Sequence, residues 1–162
     1  MWLYRGAKSV VAVEPEPLSF KYLEGNVKGL PVTCLNASLV IQVPKTPNKE
    51  GSIKYGLVDE IGHDLLNVPS VQLTELIEQY GTSVVKLNCE GCEHYVLEQL
   101  SQIPKLGVRK IAVQFHDFRG YDAYASLAFL RDKLGEYYKT VEKTGTSLSG
   151  RALRTVTVYW LL

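Results

Sequence analysis

Short runs of β-branched and aliphatic residues alternate along this chain with stretches whose apolar positions recur every three or four residues. The first run, Ser9-Val10-Val11-Ala12-Val13, stops at Glu14-Pro15-Glu16-Pro17. Proline has no N–H to donate to a sheet, so the strand ends there, while Pro17 suits the first turn of a helix. Leu18, Phe20, Tyr22, Leu23 and Val27 then fit one helix, closed near Gly29 and Pro31. Val32-Thr33-Cys34-Leu35-Asn36-Ala37 predicts a second short strand.

From Leu39 to Ser70 the pattern loosens, punctuated by Pro44, Pro47, Pro69, Gly51, Gly56 and Gly62. Within it Ile53, Tyr55 and Leu57 alternate and could form a hairpin with Val40 and Val43; a lid and a decorative hairpin are both open readings of so long a connection. Thr74 is the expected N-cap of a helix carrying Leu76, Ile77 and Tyr80 and closed by Gly81. The run Val84-Val85-Lys86-Leu87 predicts a buried parallel strand, and Val96, Leu97, Leu100 and Ile103 mark one face of the helix after it. Lys110 to Phe115 is the next strand, ending at His116-Asp117. Asp122 can cap a helix whose Leu127, Leu130 and Leu134 face the core, with Gly135 after it. Two strands close the chain, Tyr138 to Glu142 and Thr155 to Leu161, joined by the turn-rich link from Thr144 to Gly150.

Strands alternating with helices predict one α/β domain over residues 1–162, with a mainly parallel sheet, helices on both faces and an antiparallel pair at one side. Composition adds little: 46% hydrophobic and 22% charged residues are ordinary for a globular protein. A net charge of +1 with scattered Lys and Arg argues against nucleic acid as a partner. No apolar run approaches the roughly 18 residues of a membrane span, and the start Met1-Trp2-Leu3-Tyr4-Arg5-Gly6 is too short and polar for a signal peptide, so the expected location is the cytoplasm.

The chemistry gathers at strand ends, where open α/β sheets bind their ligands. Glu14 directly follows the first strand and could accept hydrogen bonds from both hydroxyls of a ribose; the alternative is a solvated glutamate beside two prolines. Asn88-Cys89-Glu90-Gly91-Cys92-Glu93 follows the strand at Val84. Asn88 can both donate and accept, or simply cap the next helix. Glu90 and Glu93 would share one face of a helix start, either as electrostatic caps or as functional groups. Cys89 and Cys92 are spaced for redox or metal work, yet three cysteines build no disulfide framework and no partner motif completes a zinc set, so two small buried side chains are the plainer expectation. His116 is a natural general base, with Asp117 or Asp122 to orient it; His63 and His94 are expected in a loop and on a helix surface.

Two blocks of this sequence together resemble the FkbM type of S-adenosylmethionine-dependent methyltransferase. Gly6-Ala7-Lys8-Ser9-Val10-Val11-Ala12-Val13-Glu14-Pro15 is similar to the family's segment from first helix to second strand, and Asn26 matches a recurrent asparagine. Val71-Gln72-Leu73 resembles the approach to the family hallmark, which is Lys86-Leu87-Asn88-Cys89-Glu90-Gly91-Cys92-Glu93 followed by Val96-Leu97. The resemblance extends from residue 1 to about residue 117 and departs where Asn88 stands for the family's usual aspartate. It implies a Rossmann-like methyltransferase sheet and methyl transfer from S-adenosylmethionine to a hydroxyl, on a sugar or small metabolite. It further implies that Glu14 and Pro15 hold the ribose, that Ala37 and Ser38 lie near the adenine, and that Asn88 contacts the cofactor. Asn88, Glu90 and His116 would form the reaction centre. It also places the start of the chain halfway along the family's first helix, so the family's first strand and glycine-rich loop are expected to be missing. The strands at Val10 and Val84 must then pair directly, or another segment must lie between them. The rival reading is a catalytically degenerate domain acting in assembly or regulation, expected as a homodimer.

Overall fold

The computed structural model describes residues 2–39, 68–89, 91–116, 122–146 and 154–161. The hairpin expected around Val40 to Leu57, together with His63, lies outside the described residues. So do Glu90 and Asp117.

Strand β1 (Val10–Val13), helix α1 (Pro17–Asn26) and strand β2 (Val32–Leu35) form the first unit, with β1 and β2 parallel and Val10 opposite Val32. Pro17 stands in the first turn of α1, as its fixed φ allows, and the Glu16 side chain caps the helix by accepting the N–H groups of Leu18 and Ser19. No side chain of α1, β1 or β2 is fully buried, and Asn26 is exposed at the end of the helix.

The second unit holds α2 (Leu73–Tyr80), β3 (Val84–Leu87), α3 (Leu97–Gln102), β4 (Lys110–His116), α4 (Ala123–Leu134), β5 (Lys139–Thr146) and β6 (Arg154–Leu161). Its sheet has the order β3-β4-β6-β5, with β3 parallel to β4 and β6 antiparallel to both neighbours. The closing antiparallel pair thus matches the sequence, but with one parallel and two antiparallel pairings this sheet is mixed and not mainly parallel. Gln72, not Thr74, precedes α2, and the Leu73 N–H that needs a partner donates to Gln99 Oε1 at 2.6 Å. The helix expected after β3 is broken into a single 3-10 turn at Cys92–His94, then α3, then a 3-10 turn at Ile103–Leu106 that contains Pro104.

One core serves this second unit. Val85 and Leu87 of β3 meet Leu73 and Ile77 of α2, Val96, Leu100 and Ile103, the inward residues Ile111, Val113 and Phe115 of β4, and Leu127, Leu130 and Leu134 of α4. Burying one such side chain is worth about 1.5–3 kcal/mol. Tyr138 is buried at its edge and donates its hydroxyl to the Val108 carbonyl at 2.6 Å. On the opposite face of β3, Val84 is half-buried and Lys86 exposed, so this strand is covered on one side only. Among the described residues no helix is long and apolar enough to cross a membrane.

The two units meet at the segment after β2. Ala37 and Ser38 are buried, the Ser38 N–H donates to the Pro69 carbonyl at 2.9 Å, and the Val71 N–H donates to the Ser38 carbonyl at 2.8 Å. Leu39 packs against the core. Strands β1 and β3, however, belong to separate sheets and do not pair with each other.

Candidate functional site

The space between β1 and β3 is a cavity of about 440 Å³, open to solvent on one side. Val11, Val13 and Val84 to Leu87 form its strand walls, and Leu73, Leu76 and Ile77 of α2 close it with apolar surface. Glu14, Pro15, Ala37, Ser38 and Asn88, five residues expected at a ligand site, all line it.

Glu14 is half-buried at the end of β1. Its Oε1 accepts the Glu16 N–H at 2.9 Å, and the Glu14 and Pro15 carbonyls accept the side-chain amide of Asn36 at 2.9 and 3.1 Å. Asn36 therefore ties the end of β1 to the end of β2 and sets the direction of Glu14. Burial raises the carboxyl of Glu14 above its ordinary value; the Glu16 N–H opposes this shift and the nearby Glu16 charge adds to it. Glu16 moves the other way. Burial pushes its carboxyl up, but the Ser19 and Leu18 amides and the Ser19 hydroxyl outweigh that, and it sits below the usual range. A glutamate one residue before a helix-opening proline is the signal by which this cap could have been read.

Across the cavity, Asn88 is exposed and does not cap a helix; Gly91 precedes the turn, at φ 119°, a left-handed conformation that glycine tolerates without a side-chain clash. Cys89 and Cys92, expected as two unlinked small side chains, are joined in a disulfide, and both border the cavity. Cys34 is a free thiol. Among the described residues no cluster of three His, Cys, Asp or Glu could hold a metal ion.

Behind this loop is a buried polar cluster that the sequence did not disclose. Glu93 has no exposed surface; its Oε1 accepts the Cys89 N–H at 2.8 Å and its Oε2 the Gly91 N–H at 2.7 Å. His116, also buried, places Nδ1 3.2 Å from Glu93 Oε1. Burial alone would raise the carboxyl of Glu93, but the His116 contact and the Cys89 N–H more than reverse it and hold it below the usual range. His94 is buried rather than on a helix surface. Its Nε2 lies 2.7 Å from the His116 carbonyl, which can only accept, so Nε2 carries the proton. In the neutral ring Nδ1 then accepts the Ser126 hydroxyl at 2.7 Å.

His116 is thus oriented by Glu93, not by Asp122, which accepts the Tyr124 and Ala125 N–H groups as the cap of α4. Nor is His116 among the residues that line the cavity. The cluster's chemistry is to clamp the strand-end loop: one carboxylate accepts two loop amides and meets a ring nitrogen of His116. No sequence spacing pairs residues 93, 94, 116 and 126; only the folding of α4 and the end of β4 onto the turn does so.

No family model matches the chain. No curated protein matches it either. Among solved structures it is similar to Alba from Thermoplasma volcanium, at 17% identity and a TM-score of 0.25, over 48% of this chain and 94% of that one. A likeness of that depth carries no argument about fold or function.

Proposed function

We propose that this chain is an S-adenosylmethionine-dependent methyltransferase domain of the FkbM type, working in the cytoplasm on a hydroxyl of a sugar or other small metabolite. One observation carries the reading. Glu14 and Pro15, Ala37 and Ser38, and Asn88 come from three separate segments and border a single cavity. The donor set suits a nucleoside. Glu14 presents a carboxylate whose Oε2 accepts no hydrogen bond from the described residues, ready for a ribose hydroxyl. Valines and leucines around it offer an apolar bed for a purine. Asn88 faces the cavity with a group that both donates and accepts. When bound, the cofactor supplies an electrophilic methyl group on sulfur. Glu90 and His116 retain their assignment to the reaction centre from the resemblance alone.

Calorimetric titration with S-adenosylhomocysteine tests the reading: one-to-one binding is expected, and no heat at millimolar ligand removes the cofactor. Glu14→Gln should weaken that binding about tenfold, the scale of one hydrogen bond to a charged group. The second reading, a catalytically degenerate assembly or regulatory module, is favoured by the burial of His116 against Glu93 outside the cavity lining. It expects no cofactor heat from a well-folded homodimer, and light scattering that reports a strict monomer counts against it.

A further inference from the structure

The loop after β3 is tied twice. Its covalent tie is the disulfide between Cys89 and Cys92, whose Cα atoms are 5.4 Å apart. Its second tie is the buried Glu93, which accepts the Cys89 N–H at 2.8 Å and the Gly91 N–H at 2.7 Å. A disulfide stabilises mainly by restricting the unfolded chain, and the effect grows with the length of the ring it closes. Cys89 and Cys92 stand three positions apart, so the ring is short, and Glu93 already holds the amides within it. As a staple this bond is nearly redundant. Its placement is more telling, because both cysteines border the cavity next to Asn88. They differ in access: Cys89 is half-buried, whereas Cys92 is only 4% exposed and leads into the buried pair Glu93 and His94. A thiol that enters the cavity therefore meets Cys89 first. The third cysteine, Cys34, is free and is not part of the cavity lining.

From this we propose that Cys89 and Cys92 form a thiol–disulfide exchange site that opens into the cavity and takes small-molecule thiols and their disulfides as substrates. In the reducing direction, the thiolate of a small thiol attacks Cys89 Sγ. The bond between Cys89 and Cys92 breaks, and its electron pair leaves on Cys92 Sγ, which takes up a proton. Cys89 is then joined to the small molecule in a mixed disulfide. A second small thiolate attacks the small molecule's sulfur in that bond, and Cys89 leaves as a thiolate and is protonated. Two small thiols have become one small disulfide, and the protein has gained two thiols. The reverse sequence, driven by a small disulfide, restores the protein's own bond. Glu93 acts here as a positioning residue: its grip on the Cys89 and Gly91 amides does not depend on the bond between the sulfurs, so it keeps the two thiols close after reduction. The inference rests on this loop and does not require the methyl-transfer reading.

The test is a redox titration of the folded protein in buffers of reduced and oxidised glutathione. Samples are quenched in acid, the denatured chain is alkylated with N-ethylmaleimide, and the intact mass is read. The mass reports the state directly: one alkyl group, on Cys34, when the pair is oxidised, and three when it is reduced. Complete and reversible conversion is expected without denaturant, with an unchanged circular dichroism spectrum. In a Cys34→Ser background, Cys92→Ser should capture one glutathione on Cys89 about tenfold faster than Cys89→Ser captures one on Cys92, because exposure sets the rate. Reduction that proceeds only in unfolding urea, or that abolishes the native spectrum, makes the bond a structural staple and overturns the proposal. Equal capture by the two variants also overturns it, since Cys89 would then not be the entry point. If either variant fails to fold, the titration of the unaltered chain decides. Failure of S-adenosylhomocysteine to bind would leave these results untouched.

Discussion

Residues 10–39 and residues 73–138 are built from the same β-α-β grammar, yet among the described residues only the second has a core of its own. No side chain on α1, β1 or β2 is buried, whereas Val96, Leu100, Ile103, Val113, Phe115, Leu130 and Leu134 are sealed from solvent. Leu18 and Tyr22 of α1 stand largely in water, and so does Tyr4. Correct local pattern is therefore not enough to stabilise a unit; each apolar face needs a second layer to cover it. The first unit is held instead by local caps, by the β1–β2 ladder and by the buried Ala37-Ser38-Leu39 tether. Its polar strand end nonetheless forms half of the cavity. The cavity thus joins a wall backed by the core to one with no buried side chains on its helix and strands.

The largest effect that would sharpen this contrast is expected from Glu93→Ala. It strands two loop amides and His116 in the interior, and breaking a buried pair costs about 3–5 kcal/mol. Urea unfolding would show it as a lower midpoint with an unchanged slope; a change below about 1 kcal/mol would mean that the clamp is dispensable. Next, Leu130→Ala should cost about 2–5 kcal/mol, because it opens a cavity in a sealed core. Leu23→Ala in α1 should cost under about 1 kcal/mol, since its surface is only partly covered. Equal losses at the two leucines would end the contrast between the units.

A smaller effect should be the same in both regions. Glu16→Ala and Asp122→Ala each remove a side chain that caps a helix, and each should cost about 1 kcal/mol in thermal unfolding. Capping is local, so a tertiary difference should not change it. The smallest effect is a split in pH dependence. Glu93 has a lowered carboxyl, so its stabilising contribution is fully present above the ordinary value of 4.5 and is lost as pH falls below that. Glu14 has a raised one, so its burial opposes folding at neutral pH, and that opposition is relieved as pH falls toward 4.5. On acidification the Glu14 strand end should become slightly more protected from exchange before the Glu93 loop begins to open. NMR titration of the two carboxyls checks the order, and loss of the Glu93 loop first would reverse the assignment.

Much of the architecture was legible beforehand. The leucines of α4, the Val96, Leu100 and Ile103 stripe, and the strands at Val10, Val84 and Lys110 all emerged from period and turn chemistry, because those signals act within a few residues. The start of α2 was misplaced at Thr74 because its partner, Gln99, is 26 residues away. At the site, Glu14 and Asn88 could be singled out because strand ends are marked by proline and by abrupt polarity. Glu93 could be singled out as well, as a cap or functional group at the turn after β3; its contact with His116, and the roles of His94, Ser126 and Asn36, could not, since each depends on a partner that only the fold supplies.

By itself, then, the sequence determined where the chain turns, which side chains face inward in its central helices and strands, and which polar residues stand at strand ends. Tertiary structure alone decided that β1 and β3 flank an open cleft, that the first unit stays uncovered, and that Glu93 and His116 are buried together. Local choices follow from backbone dihedrals and nearest neighbours. Pairing of strand edges and burial of charge depend on residues far apart in the chain, whose meeting only the whole chain's packing fixes.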